Sequence, residues 1–243
     1  MEDAIYQQLY DLEDGHWWFR GRRAVLWALM RRAGLPERPR ILDAGCGTGR
    51  NLAEFGALGT ARGVDPSPAA IEFCRRRGLT GVTAAGIEAL PFGAGEFDLI
   101  LATDVLEHVE RDDVAVAELR RVAAPGAMLV VTVPAYRWLW SQHDDSHHHL
   151  RRYTAGPLRA RLAGAGWRPV LLTYFNSLLL PPIALVRMLA RRRIGRGGRT
   201  DYQLTGRVSN RTLELPMRAE AALIARGVRF PAGVSIGMVC RPA

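Results

Sequence analysis

Three groups of residues have the types and spacing to do chemistry. The first is the run Leu42-Asp43-Ala44-Gly45-Cys46-Gly47-Thr48-Gly49-Arg50-Asn51. Glycines let a backbone turn tightly and approach a ligand with no side chain in the way. Dinucleotide enzymes place G-x-G-x-x-G at such a turn. Here the glycines fall at 45, 47 and 49, and the last position of that pattern is Arg50, which argues against NAD or FAD. The second group is Gly63-Val64-Asp65. A carboxylate at that distance from the loop can accept both hydroxyls of a ribose, or it can cap the helix that Pro66-Ser67-Pro68 begins. The third is the segment Trp138 to Tyr153, where His143, His147, His148 and His149 are four of the six histidines. A His–Asp pair there can serve as a general base, with arginines holding an anion; a loop tied down by ion pairs is the bland alternative. No histidine stands in a helical His-x-x-x-His frame with a clear carboxylate partner, so no metal site is expected.

The elements that must position these groups alternate. Arg40 to Ala44, Ala61 to Asp65, Val82 to Ala85, Phe97 to Ala102 and Met128 to Val133 read as short buried strands. Helices are expected from about Arg50, over Pro68–Arg77 and over Asp112–Ala123. Strands separated by helices imply a parallel sheet covered on both faces, with ligands at the carboxyl ends of the strands. A helix near Thr154–Ala165 and a strand over Pro169–Phe175 follow, and Val234–Arg241 supplies the last strand. Residues 4–33 carry apolar side chains at helical spacing broken at Gly15-His16-Trp17-Trp18-Phe19, which predicts two helices around a turn. The expected architecture is a Rossmann-like, seven-stranded, mostly parallel α/β sheet in a single domain. It comprises a helical lid (1–36), a cofactor-binding core (37–175), a helical insertion (176–230) and a final strand (231–243).

At this point the residues resemble a family. Leu42 to Gly49 looks like the first motif of class I S-adenosylmethionine-dependent methyltransferases. Gly63-Val64-Asp65, Gly86-Ile87-Glu88-Ala89-Leu90-Pro91-Phe92, Phe97 to Ile100, Asp104-Val105-Leu106-Glu107-His108-Val109 and Pro125 to Leu129 follow in family order. The resemblance implies S-adenosyl-L-methionine as cofactor. It assigns the loop Gly45, Cys46, Gly47 and Gly49 to the methionyl part and Asp43 to its amino group, directly or through water. It gives Asp65, with Pro66 beside it, to the ribose, Ile87 to the adenine, and Asp104 and Leu106 to the sulfonium end. Many relatives place an aspartate where Gly86 stands; Glu88 is the expected substitute. Methyl transfer requires alignment, exclusion of water and sometimes removal of a proton. Trp18 and Arg23 are therefore expected near the site, as an aromatic face for a cation and a partner for the cofactor carboxylate. The packed-helix alternative keeps Trp27 in the core. The chain is also similar to a bacterial subgroup pairing a His-Trp-Trp-Phe segment with a His-Asp…His-x-Arg-Arg-Tyr segment, matched here by His143, Asp144, His149, Arg151, Arg152 and Tyr153. His143, His108, His149 and Tyr153 are the candidate catalytic residues. The implied acceptor is a small molecule of a bacterial biosynthetic pathway (a natural product, sugar or lipid-linked precursor), methylated on oxygen or nitrogen.

Composition bounds the alternatives. The 243 residues are 48% hydrophobic, enough for one well-filled α/β core. Three cysteines far apart are poor material for disulfides, and Met1-Glu2-Asp3 lacks a basic leader, so the cytoplasm is expected. The formal charge of +9 admits an RNA methyltransferase, but no RNA-binding module and no Asn-Pro-Pro-Tyr-type motif accompanies it. A non-catalytic cofactor-binding scaffold is the third reading, opposed by the intact glycine loop. The arginines at 187, 191, 192, 193, 196 and 199 read as a solvated loop, or as a peripheral contact with an anionic membrane. The apolar run before them is interrupted by Asn176, Pro181-Pro182 and Arg187, which argues against a membrane span.

Overall fold

The computed structural model describes residues 3–191 and 207–243. Seven strands form one sheet: β1 (Arg40–Ala44), β2 (Thr60–Asp65), β3 (Val82–Ala84), β4 (Phe97–Thr103), β5 (Ala123–Pro134), β6 (Trp167–Phe175) and β7 (Ser235–Pro242). Their spatial order is β3-β2-β1-β4-β5-β7-β6, and only β7 runs antiparallel to its neighbours. The expected seven-stranded, mostly parallel architecture is what the chain adopts. After β3 the chain crosses back to place β4 beside β1, so a crevice opens between the carboxyl ends of these two strands. Ligands of open α/β sheets bind at such a switch point, and both Gly45 and Asp104 leave the sheet there.

Helices cover both faces. One layer holds α5 (Asp112–Val122) and α7 (Ala155–Gly164); α4 (Pro68–Arg76) packs on the other face beside α1 (Asp3–Leu12), with Pro68 at its first turn where its missing N–H costs nothing. Between β1 and β2 the chain forms the short α3 (Arg50–Phe55). The expected leader is two helices, α1 (Asp3–Leu12) and α2 (Trp17–Arg32). Only part of it covers the site. Val25, Leu26, Leu29 and Met30 of α2 are fully buried against Ile41, Leu99, Val130 and Val239 of the sheet. Each such side chain contributes roughly 1.5–3 kcal/mol, so α2 is a core helix whose first turn reaches the crevice.

The stretch before β7 likewise divides. The helix α9 (Arg207–Ala225) lies along α2, burying Met217, Ala221 and Ile224 in the same cluster, whereas α8 (Leu180–Arg191) sits over the crevice and exposes Leu185, Val186, Met188 and Leu189. No described helix is long and apolar enough to cross a membrane. Most of the arginine-rich segment, residues 192–199, lies outside the described residues.

Candidate active site

The loop after β1 is built from glycines for steric reasons. Gly45, Gly47 and Gly49 have φ of +78°, +53° and +81°, where side chains are strained. A Cβ on Gly45 would lie 2.5 Å from Val105, and one on Gly49 2.5 Å from Leu79. Gly47 differs, because no atom stands within 4 Å of where its Cβ would be. It opens onto a cavity of about 670 Å³, and a ligand can lie against its bare backbone. The Gly47 N–H donates to Asp65 Oδ2 at 3.0 Å, which ties the loop to the end of β2. Asp65 Oδ1 accepts from Ser67 N at 2.9 Å and from the Tyr6 hydroxyl at 3.3 Å. Asp65 thus anchors the turn into α4, the structural alternative its sequence position allowed, and also faces the cavity. Burial raises its carboxyl above the ordinary range despite these donors.

Of the sequence-predicted cofactor residues, Trp18, Gly45, Cys46, Gly47, Asp65, Pro66, Ile87, Glu88 and Asp104 line this one cavity. Glu88 turns back under Gly86, its Oε2 3.4 Å from where a Cβ at 86 would be, so a carboxylate stands near the position that Gly86 leaves vacant. Four expected residues lie elsewhere. Gly49 packs behind the loop on Cys74 and Leu79. Asp43 is fully buried, with neither carboxylate oxygen hydrogen-bonded, and burial pushes its pKa up to about 7.

Arg23 does not reach the site. Its guanidinium bonds the Glu13 carbonyl at 2.9 Å and Glu54 at 2.9 Å. Arg22 lines the cavity instead and pairs with Asp104. The helix explains the correction: Trp18 and residue 22 are one turn apart on one face, whereas residue 23 has rotated toward α3. Leu106 is likewise displaced, with Glu107 in its place on the wall. An extended chain would send 104 and 106 the same way, but Asp104 has φ +53° and Leu106–His108 forms a 3-10 turn. Leu106 therefore rotates into the core. The neighbouring Glu107, 1% exposed, has no partner for either oxygen.

The histidine segment folds over the same wall. After β5 come α6 (Gln142–Ser146) and a loop back to α7. The Leu150 N–H donates to the Glu107 carbonyl at 2.7 Å, and the Tyr153 hydroxyl donates to the Leu106 carbonyl at 3.2 Å and to Asp112 at 2.8 Å. These bonds stitch the loop to the turn after β4. Tyr153 is buried in that seam and is absent from the cavity wall, so its sequence-assigned catalytic role has no access to a ligand. His108, His143 and His149 do line the cavity. The His–Asp pair is His149 with Asp144, Nδ1 to Oδ1 at 2.8 Å. Asp144, fully buried, also takes two bonds from Arg152, while Arg151 pairs with Asp112. Both arginines are engaged by internal carboxylates, which removes them as the expected binders of an anionic acceptor. Burial lowers the pKa of His108 to about 3 and drives that of His143 well below its ordinary value, keeping both rings neutral and weakly basic.

The lid is strapped across the loop. Glu13 accepts from Thr48 and Arg77, and Asp14 pairs with Arg50 and Arg77. Tyr6, Glu13, Thr48 and Arg22 are site residues that sequence reasoning passed over. Only Arg22 carried a signal, its helical spacing from Trp18.

A bare glycine loop, an acidic strand end and an acidic side chain under Gly86 meet at one switch-point cavity. Residues 42–131 match the methyltransferase domain family. Over that segment, a little over a third of the chain, the sequence is similar to the family. An uncharacterized protein of Mycobacterium tuberculosis is 31% identical over 175 residues, covering 69% of this chain and 59% of that protein. A ubiquinone biosynthesis O-methyltransferase of Methylocella silvestris is 45% identical over 109 residues, 36% of this chain and 42% of that enzyme. The chain thus spans about three-fifths of the length of the former and less of the latter. In fold it is similar to an S-adenosylmethionine-dependent methyltransferase of Thermotoga maritima, with a TM-score of 0.61, 17% identity, and coverage of 99% of this chain and 96% of that one. The cavity has room for S-adenosylmethionine: no atom stands within 4 Å of a Cβ on Gly47, and Asp65 and Glu88 line the wall.

Proposed function

We propose that the protein methylates an oxygen or nitrogen of a small molecule with S-adenosylmethionine as donor. The observation that carries this reading is the continuity of one cavity from the glycine loop and Asp65 to His108 and His149. When bound, S-adenosylmethionine supplies an electrophilic methyl group on a sulfonium. The loop backbone at Gly45 and Gly47 would hold its methionyl part, Asp65 its ribose, and Ile87 and Glu88 its adenine. Arg22 lines the cavity with its charge already paired to Asp104, so the donor's carboxylate would compete with Asp104 for it. Tyr6, Trp17, Trp18 and Phe19 close the lid side of the cavity with aromatic surface, excluding water and lowering the local dielectric around the reacting atoms. On the far wall, His149 is the sequence candidate whose ring a carboxylate orients, and it is the residue we assign to act on the acceptor.

Calorimetry with S-adenosylmethionine on the wild type and on Gly47→Val tests the cradle. A valine at φ +53° would be strained and project into the open path. We expect the variant to bind at least 100-fold more weakly, with an unchanged circular dichroism spectrum. Equal affinity in both proteins would sink the cofactor placement.

A further inference from the structure

At the turn after β4 the cavity wall carries a polar cluster that the proposed cofactor placement does not use. Glu107, His108 and His149 each offer one donor atom, and these atoms lie within 4.8 Å of one another. We propose that Glu107, His108 and His149 bind a divalent transition-metal ion whose remaining positions face the acceptor side of the cavity. This deepens the assignment of His149 made for methyl transfer.

Three observations carry the proposal. Glu107 is buried and neither of its oxygens has a hydrogen-bond partner, and a carboxyl so placed costs several kcal/mol unless a proton or a cation meets it. His149 uses Nδ1 on Asp144, which leaves Nε2 for the ion. A carboxylate behind a ligating imidazole fixes the ring's tautomer and orientation and strengthens the ligand. Asp144 is in turn held by Arg152 and by the Ser141 N–H at 2.8 Å, so the orienting group is itself rigid. Finally, the two loops supplying the ligands are joined by the Leu150–Glu107 backbone bond.

Two imidazoles and one carboxylate select zinc, manganese, iron(II) or cobalt over calcium and magnesium. An ion with bonds of about 2.1 Å needs donors roughly 3–3.5 Å apart, so the ligand atoms, within 4.8 Å of one another, would close by up to about 1.5 Å. Asp104, the neighbouring carboxylate, is already held by Arg22 and by the Thr132 hydroxyl at 3.0 Å. Sequence reading expected no metal because it looked for one helical frame, whereas these ligands come from two loops. An ion here would bind an acceptor oxygen and lower its pKa, so that the oxygen loses its proton to water more readily. In that arrangement His149 acts on the acceptor as a ligand of the ion.

Chelator-treated protein, with neither donor nor acceptor present, is titrated with Co²⁺ and Zn²⁺ by absorption spectroscopy and calorimetry. We expect one equivalent to bind the wild type, with a visible Co²⁺ band. Glu107→Gln and His149→Ala should weaken binding at least tenfold, and Asp144→Asn by about 10- to 100-fold. Glu107→Gln removes a charge and almost no volume, so it carries the test even if another variant fails to fold. Failure of the folded wild type to bind, or equal affinity in Glu107→Gln, overturns the site. Binding that survives these changes but is lost in His143→Ala/His147→Ala places the ion elsewhere and also overturns it. S-adenosylmethionine calorimetry on the same samples separates the two readings: a metal without the cofactor overturns methyl transfer alone, and the cofactor without a metal overturns this site alone.

Discussion

Among the described residues, Asp43 is, with Glu107, one of two buried carboxyls near the crevice with no hydrogen-bond partner. Its carboxyl titrates near 7 in the folded chain against an ordinary 3.8, because burial opposes the charge more than Arg22 favours it. The folded state therefore holds this proton more tightly than the unfolded state does. The penalty is absent below about pH 4, grows from pH 4 to 7, and is complete above that, at a size on the order of 4 kcal/mol. Asp43→Asn should raise the melting temperature by several degrees at pH 8 and leave it nearly unchanged at pH 4. An equal shift at both pH values would show that packing, and not charge, separates the two proteins. The sequence marked the residue as part of a buried strand before a glycine loop, but not that its carboxyl would lie behind the cavity wall without a partner, because that depends on long-range packing.

At the scale of elements, the contact between α2 and α9 sets where the lid can stand. A Cβ on Gly21 would come within 2.6 Å of the Met217 Cβ, so the helices approach through a glycine. Gly21→Leu should cost about 1–3 kcal/mol through overpacking and lower the melting temperature by roughly 2–10 °C, read by calorimetric scanning. An unchanged midpoint would mean α9 yields freely. The lid strap makes a different prediction. Removing Arg77, which joins Glu13, Asp14 and the Thr48 carbonyl, should free α1 locally. Arg77→Ala should speed chymotrypsin cleavage after Tyr6 and Tyr10 several-fold with only a small change in global unfolding. The strand–helix alternation behind these contacts was legible from local pattern. The division of the leader into a strapped lid and a core helix was not, because hydrophobic spacing marks a buried face without naming what covers it.

For the whole molecule, the cavity couples lid, glycine loop and histidine wall into one binding unit. A ligand that fits only this folded arrangement stabilises all of it. S-adenosylhomocysteine at a hundred times its dissociation constant should add about 2.7 kcal/mol, raising the melting temperature by roughly 5–10 °C in a concentration-dependent way. Gly47→Val should lose most of that shift, and a shift of equal size in the variant would place the ligand outside the cradle.

Some properties of this protein follow from the chain alone. The glycines at 45, 47 and 49, Asp65 and the strand rhythm specify a fold class and where its crevice opens, because those demands are local: a backbone angle, a strand end, a helix start. The acceptor wall is different. Asp104 turns the chain out of β4 with a left-handed residue, exchanging Leu106 for Glu107, and a loop some forty residues later is stitched onto that turn. The helical phase of α2 selects Arg22 over Arg23. Such pairings are decided by long-range packing and by one or two dihedral angles. Only the folded chain shows that Asp144 belongs to His149, and that His149 belongs beside Glu107 and His108.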